Sequence, residues 1–328
     1  MNANRFLWLL KREFWEYRGS FFWAPLITAM AMLGLCLMAI VSAEVLGHRH
    51  GVELSGIHLD MLTQHLSDAD IAKAHRAMDL GLLSLGFPLA ITLFFVTFFY
   101  CLGALYNDRA DRSVLFWKSL PLSDTETVLA KVVTVALIAP AFAVAALIAL
   151  QLGFLLLLSA YTLAHGVNAL VLLWSPTHLL ALWLKLIALI PLNALWALPS
   201  IGWLLLCSSY ARSKPFLWAV LLPIVTGFFV WWFDLMRLLS LSASWFWHHV
   251  VGRLLLSLAP ASWMDAKLLK DEIVIGGGPD SFELLLPIPL DRLRDVLATP
   301  NLWIGAAAGA AMIAAAIWFR RSRIECYA

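Results

Sequence analysis

Charge is what this sequence has least of. Asp, Glu, Lys and Arg make up 13% of its 328 residues, against roughly 25% in a soluble domain. With 62% hydrophobic residues and a mean hydropathy of +0.83, the shortage excludes an ordinary soluble globular protein and implies a polytopic membrane protein. The net charge is only +2. No arginine-rich stretch interleaved with aromatics occurs, so nucleic acid is not an expected partner. Cysteine is scarce too: Cys36, Cys101, Cys207 and Cys326. None falls in an expected outer loop, so free thiols are expected and a disulfide framework is not. No Gly-Lys-Ser/Thr phosphate loop exists; Gly276-Gly277-Gly278 runs into Pro279. No soluble stretch is long enough for an ATPase domain. The cores of the apolar runs hold no recognisable Asp or Glu, which argues against an ion-coupled carrier.

What is present is six long apolar runs. The first, Phe21 to Ala43, has about 23 residues, enough to span a bilayer and too long for a cleaved signal's apolar core. The others run Gly81 to about Leu105, about Val128 to Ser159, about His178 to Cys207, about Phe216 to Phe233, and Asn301 to Phe319. Pro140 is expected to bend the third. The short connecting segments on one side hold Arg109, Arg112, Lys118, Lys131, Arg212, Lys214, Arg320, Arg321 and Arg323, and those on the other hold only Arg49, Lys73 and Arg76. This asymmetry puts both termini in the cytoplasm. The expected fold is therefore an all-α polytopic membrane protein of six transmembrane helices forming one domain over 1–328. Outer insertions are expected at about 44–79 and 234–299. Within the second, Leu238 to Leu258 is apolar and aromatic but interrupted, which suits a re-entrant helix. Ile273 to Asp280 suits a strand and turn.

The chain's organising stretch is Tyr106 to Lys131, which lies between two apolar runs. A helix from Arg112 to Leu120 would place Phe116, Trp117 and Leu120 on one stripe, with Lys118 beside it. Pro121 would end it, and Ser123-x-x-Glu126 would cap the next helix. A capped inner helix with an apolar stripe can dock a soluble partner. At the N-terminus, Phe6 to Arg18 reads as an interfacial amphipathic helix. Leu7, Leu10, Phe14 and Tyr17 form its apolar row, while Lys11, Arg12, Glu13, Trp15 and Glu16 fall on other faces.

Weaker signals remain. Gln151, Lys185 and Asn193 interrupt apolar runs and are pathway candidates, because polar groups are costly in lipid. Gly305-x-x-x-Gly309 offers a small-residue face, expected to pack within the protomer. Asp234 and Arg237 are spaced for an ion pair. His48, His50, His58, His65 and His75 cluster in one outer segment. No accompanying cysteines or paired carboxylates complete a ligand set, so solvated side chains are expected and no metal site.

The KREFWEYRGSF stretch before the first span, the YNDRADRSVLFWKSLPLSDTETVLAK loop and the six-span count together resemble the ABC-2 type permeases of bacterial ABC exporters. That resemblance implies a non-enzymatic membrane subunit of the bacterial cytoplasmic membrane. It would form the translocation pathway for an amphipathic peptide, drug or lipid. It would pair with a second permease copy and recruit two ABC ATPase subunits, which bind ATP and magnesium; this chain would hold no cofactor. The resemblance maps a connecting helix onto Phe6 to Arg18, a coupling helix onto Arg112 to Leu120, and outer re-entrant helices onto Leu238 to Leu258. A polytopic membrane enzyme with its active site at the outer surface is the alternative.

Overall fold

The computed structural model describes residues 3–49, 78–111, 122–165, 173–174, 177, 179–237, 242–263 and 296–322. The expected coupling helix lies outside them, with Arg112, Phe116, Trp117, Lys118 and Leu120. So do the strand at 273–280, Cys326, and His50, His58, His65 and His75.

Within the described residues the chain is helical and has no strand. A first helix, α1 (Ala3–Glu16), precedes six helices long and apolar enough to cross a membrane. These are α2 (Gly19–Arg49), α3 (Met78–Ala110), α4 (Asp124–Ala164), α5 (Leu179–Tyr210), α6 (Pro215–Leu235) and α8 (Pro300–Ser322). Between the last two lies α7, a short broken helix over residues 243–256. Met30, Leu35 and Met38 on α2, with Leu221, Phe228, Phe229 and Trp232 on α6, stay exposed. That much apolar side chain suits a bilayer as its solvent. The molecule is built as a multi-pass membrane protein.

The helices end where local chemistry ends them. Ser123 caps α4: its hydroxyl accepts from the Glu126 amide at 3.1 Å, and Glu126 accepts from the Ser123 amide at 3.3 Å. This is the reciprocal capping box expected from the sequence. Pro140 cannot donate to the Ala136 carbonyl, and α4 widens into a π-turn over Thr134–Ile138 just before it. At the end of α6 the expected Asp234–Arg237 ion pair does not form. Arg237 takes a left-handed backbone with φ of 52°, and the Asp234 carboxylate accepts instead from the amide of Ala243 at 3.0 Å. It thereby ties the start of α7 to α6.

The tightest packing joins α5 to α8, elements far apart in sequence. A Cβ on Gly309 would lie 2.5 Å from the Leu198 carbonyl, and one on Gly202 would lie 2.5 Å from the Gly309 carbonyl. The two backbones therefore touch, as the small-residue motif predicts. Pro199 sits at this crossing, where a ring without an N–H replaces a backbone donor. The core around it includes Ile201, Leu204, Leu205, Ile313 and Ala316. It extends through Cys101 and Val128 to Phe21. A second core, with Leu82, Leu89, Leu147 and Leu150, packs α2, α3 and α4 together. Cys36, Cys101 and Cys207 are free thiols.

Candidate functional site

The segment 112–121 leaves the described structure after α3 and returns just before α4. At the bundle end where this happens, charged side chains from four helices are buried together. The packed side of α1 presents Phe6, Leu9, Leu10, Glu13 and Phe14, followed by Tyr17 just past its end, while Leu7 of the apolar row is 62% exposed. A carboxylate, Glu13, thus belongs to the packed side of the helix.

Glu13 is buried because it is fully partnered. One carboxylate oxygen accepts from the Tyr100 hydroxyl at 2.8 Å and from the Lys131 ammonium at 3.3 Å. The other faces Lys131 at 3.3 Å and pairs with Arg12. Lys131 has no exposed surface. Its ammonium also lies 3.6 Å from Asp108, which accepts from Arg320 at 2.9 Å. Arg320 in turn donates to Asp124 at 3.0 Å. Arg12, Glu13, Lys131, Asp108, Arg320 and Asp124 thus form one chain of alternating sign and no net charge. Such compensation is what lets ions leave water at tolerable cost. Aromatic rings wall its inner side: Tyr17 and Phe21 meet Tyr100 edge-on at 4.7 and 4.9 Å between ring centres.

A second clamp lies alongside. Arg109 donates to the carbonyls of Ser208 and Ala211 at 2.5 and 3.0 Å, capping the last turn of α5. The Ser208 hydroxyl accepts from the amides of Leu105 and Tyr106 and donates to the Leu102 carbonyl. The backbone of α3 is thereby stitched to α5 about two turns before the 112–121 segment begins.

The sequence counts Lys131 among the charges of the inner segments and places no Asp or Glu in the cores of the apolar runs. The structure refines the first, because Lys131 is fully buried. Lys131 lies inside α4, eight residues past the Ser123 cap, among Val128, Ala130 and Val132. Helix α3 runs on to Ala110 and buries Asp108. A lysine between Ala130 and Val132, just inside a capped helix, is itself the signal, since its burial demands a carboxylate partner.

The other predicted residues do not converge. On α1, Glu13 and Arg12 join the ionic chain, and Glu16 lies 3.8 Å from Arg12. Burial, reinforced by the Glu13 charge, raises the Glu16 carboxyl above its ordinary value. Lys11 and Arg18 lie over the exposed rings of Trp8 and Trp15. Gln151 is buried and satisfied: its amide donates to the Leu82 carbonyl at 3.1 Å and accepts from the Trp183 indole at 2.8 Å. It acts as a polar tie between α3, α4 and α5. Asn193 accepts from the Trp263 indole at 2.9 Å, and Lys185 is half-buried elsewhere on α5. The described residues contain no group of three His, Cys, Asp or Glu placed to hold a metal.

At the opposite end of the bundle, Glu44 of α2 accepts from the Tyr161 hydroxyl at 2.7 Å and faces His48 and His165 at 3.2 and 3.4 Å. Neither family models, nor characterised proteins, nor solved structures give a match to this chain.

Proposed function

We propose that this chain is the membrane-spanning permease subunit of an ABC exporter of the ABC-2 type, with the 112–121 segment as its contact for a separate ATPase. One observation carries the reading. The segment leaves α3 three residues after Asp108 and returns two residues before Asp124, and both belong to the ionic chain that also holds α1 and α8. A push on the segment therefore has a stiff route into four helices at once. Through Lys131 and Glu13 it reaches α1. Through Arg320 it reaches α8, which bears on α5 at the Gly202–Gly309 crossing. Short buried ion pairs suit this role because moving one partner alone is costly.

In this reading the charged end faces the cytoplasm, as the excess of Lys and Arg in its connections favours. α1 lies along that surface with Trp8 and Trp15 at headgroup level, and α7 dips into the outer leaflet. The outward apolar faces meet lipid and a second copy of the chain. ATP and magnesium belong to the two partner ATPases, and the translocated molecule is an amphiphile such as a peptide, drug or lipid. Glu13 and Asp108, the buried carboxylates an ion-coupled carrier would use, are committed to Lys131 and Arg320.

The test is biochemical. Purified alone, the chain is expected to hydrolyse no ATP, and to gain coupled hydrolysis only with a co-expressed ABC ATPase. Phe116→Ala with Trp117→Ala should weaken that association at least about tenfold, the usual cost of truncating aromatic anchors, while the chain still folds. ATP turnover by this chain alone would overturn the reading. Full recovery of the ATPase with the double variant would overturn the docking stripe.

A further inference from the structure

Arg253, on α7 at the end of the bundle opposite the ionic chain, is held by three elements. Its guanidinium lies 3.6 Å over the ring of Trp196 on α5. Nη2 donates to the Asn301 carbonyl of α8 at 3.3 Å. Its own carbonyl accepts from the hydroxyls of Ser200 at 2.9 Å and Ser257 at 2.7 Å, which fixes the backbone that presents it. The seat itself exists because position 305 lacks a side chain: a Cβ on Gly305 would overlap Nη2 and stand 3.2 Å from Pro199.

The arrangement is nevertheless incomplete. Nη1 is buried and has no hydrogen-bond partner, and no carboxylate among the described residues pairs with this cation. The Trp196 face offsets part of the desolvation but leaves that N–H unmade, which is costly inside a protein. Depth narrows what could complete it. Gly305 lies about five residues into α8, roughly 7–8 Å along the helix axis at about 1.5 Å per residue. In a helix of 23 residues, about 34 Å long, that is a few ångströms inside a hydrocarbon core of about 30 Å, while the Asn301 carbonyl that Nη2 reaches lies at its boundary with the headgroups. An arginine fork at that level matches a phosphate or carboxylate with two parallel N–H donors.

We propose that Arg253, seated between Trp196 and Gly305, binds the anionic headgroup of an amphiphile at the bilayer boundary. The inference stands whether or not the chain works with an ATPase. A resident phospholipid and a soluble anion offer the same chemistry, and the experiment separates them.

The experiment titrates phosphatidylglycerol, with phosphatidylcholine as the zwitterionic control, into delipidated protein in neutral detergent and reads bound lipid by native mass spectrometry. The wild-type chain should bind one phosphatidylglycerol more tightly than phosphatidylcholine. Arg253→Gln should weaken that binding at least tenfold. Arg253→Lys should fall between them, keeping the charge and losing the fork. Gly305→Ala should also weaken it, by displacing a guanidinium that is still charged. Competition by millimolar inorganic phosphate would support a headgroup-only anion site; resistance to it would support a ligand that also needs its acyl chains. Equal affinity for the two lipids in the wild type overturns the proposal, as does phosphatidylglycerol binding unchanged in Arg253→Gln. Should that variant not unfold cooperatively, Gly305→Ala decides, and undiminished binding there overturns the proposal equally.

Discussion

At one end of the bundle six charged side chains lie in unbroken alternation, from Arg12 through Glu13, Lys131, Asp108 and Arg320 to Asp124. At the other end Glu44 meets two histidines at a partly exposed rim, and Arg253 meets no carboxylate among the described residues. The first arrangement is closed: apart from Arg12 and Glu13, neighbours on α1, each pair joins two different helices, so the helices move together or not at all. The second is open, with contacts that solvent or a ligand can replace. Burial separates them. Lys131 and Glu13 have almost no exposed surface, whereas the side chains of Glu44 and His48 are 32% and 74% exposed.

The sharpest way to break this contrast is to remove one partner from the closed end. Lys131→Met should leave Glu13 and Asp108 buried beside a methyl group and destabilise the fold by about 3–5 kcal/mol, seen as a large fall in thermal midpoint in detergent. Adding Glu13→Gln should restore part of the loss, since the orphaned carboxylate is then gone. If the double variant were worse than the single by the full cost of a second lesion, the two residues would not be coupled.

A smaller effect is expected where the two ends communicate. Gly309→Ala places a methyl against the Leu198 carbonyl, where backbone rather than a flexible side chain must give way. Overpacking of this kind costs about 1–3 kcal/mol, and the same thermal measurement should register it. Gly34→Ala, which meets nothing within 4 Å, is the matched control and should be close to neutral.

The smallest effect belongs to the open rim and should depend on pH. Both ring nitrogens of His165 face oxygens, Nδ1 the Tyr161 carbonyl at 2.9 Å and Nε2 the Glu44 carboxylate at 3.4 Å. Only the imidazolium can donate to both. The Tyr161 carbonyl, and then the Glu44 carboxylate, hold the His165 pKa above its ordinary value. A raised folded-state value means that stabilisation is fully present below the unfolded value of about 6.5 and is lost as pH rises through the folded one. The difference in thermal midpoint between wild type and His165→Gln should therefore be measurable in mild acid and vanish in alkali. A difference that grew with pH would contradict the geometry.

Much of the scaffold was legible because its signals are local. Long apolar runs name the spans, Ser123 and Glu126 name a cap, and Gly305 with Gly309 names a close helix crossing. The ionic chain was not legible in the same way. Its pairs join residues 13 and 131, 108 and 320, and 124 and 320, so neither helical nor loop spacing brings them into one window. Counting Lys131 toward a cytoplasmic loop obeyed the charge-bias rule and missed its burial. Leu7 and Leu10 share the apolar row of α1 in the sequence, but only the distant partners of Glu13 show which side of that helix packs on the bundle. Gln151 illustrates the converse. Its amide in an apolar run was legible as unusual, but only the positions of Leu82 and Trp183 show that it is already satisfied.

Arg320 lies near the end of the last long helix, and its partners Asp108 and Asp124 belong to the second and third. During synthesis those two acids are made well before their cation. Until α8 emerges from the ribosome, Asp108 has Lys131 as its only counter-ion in the chain of pairs described, and the Leu198 groove that receives Gly309 stands open. A nascent chain halted before residue 300 therefore carries one acid of the ionic chain without its cation and an unfilled seam beside Leu198.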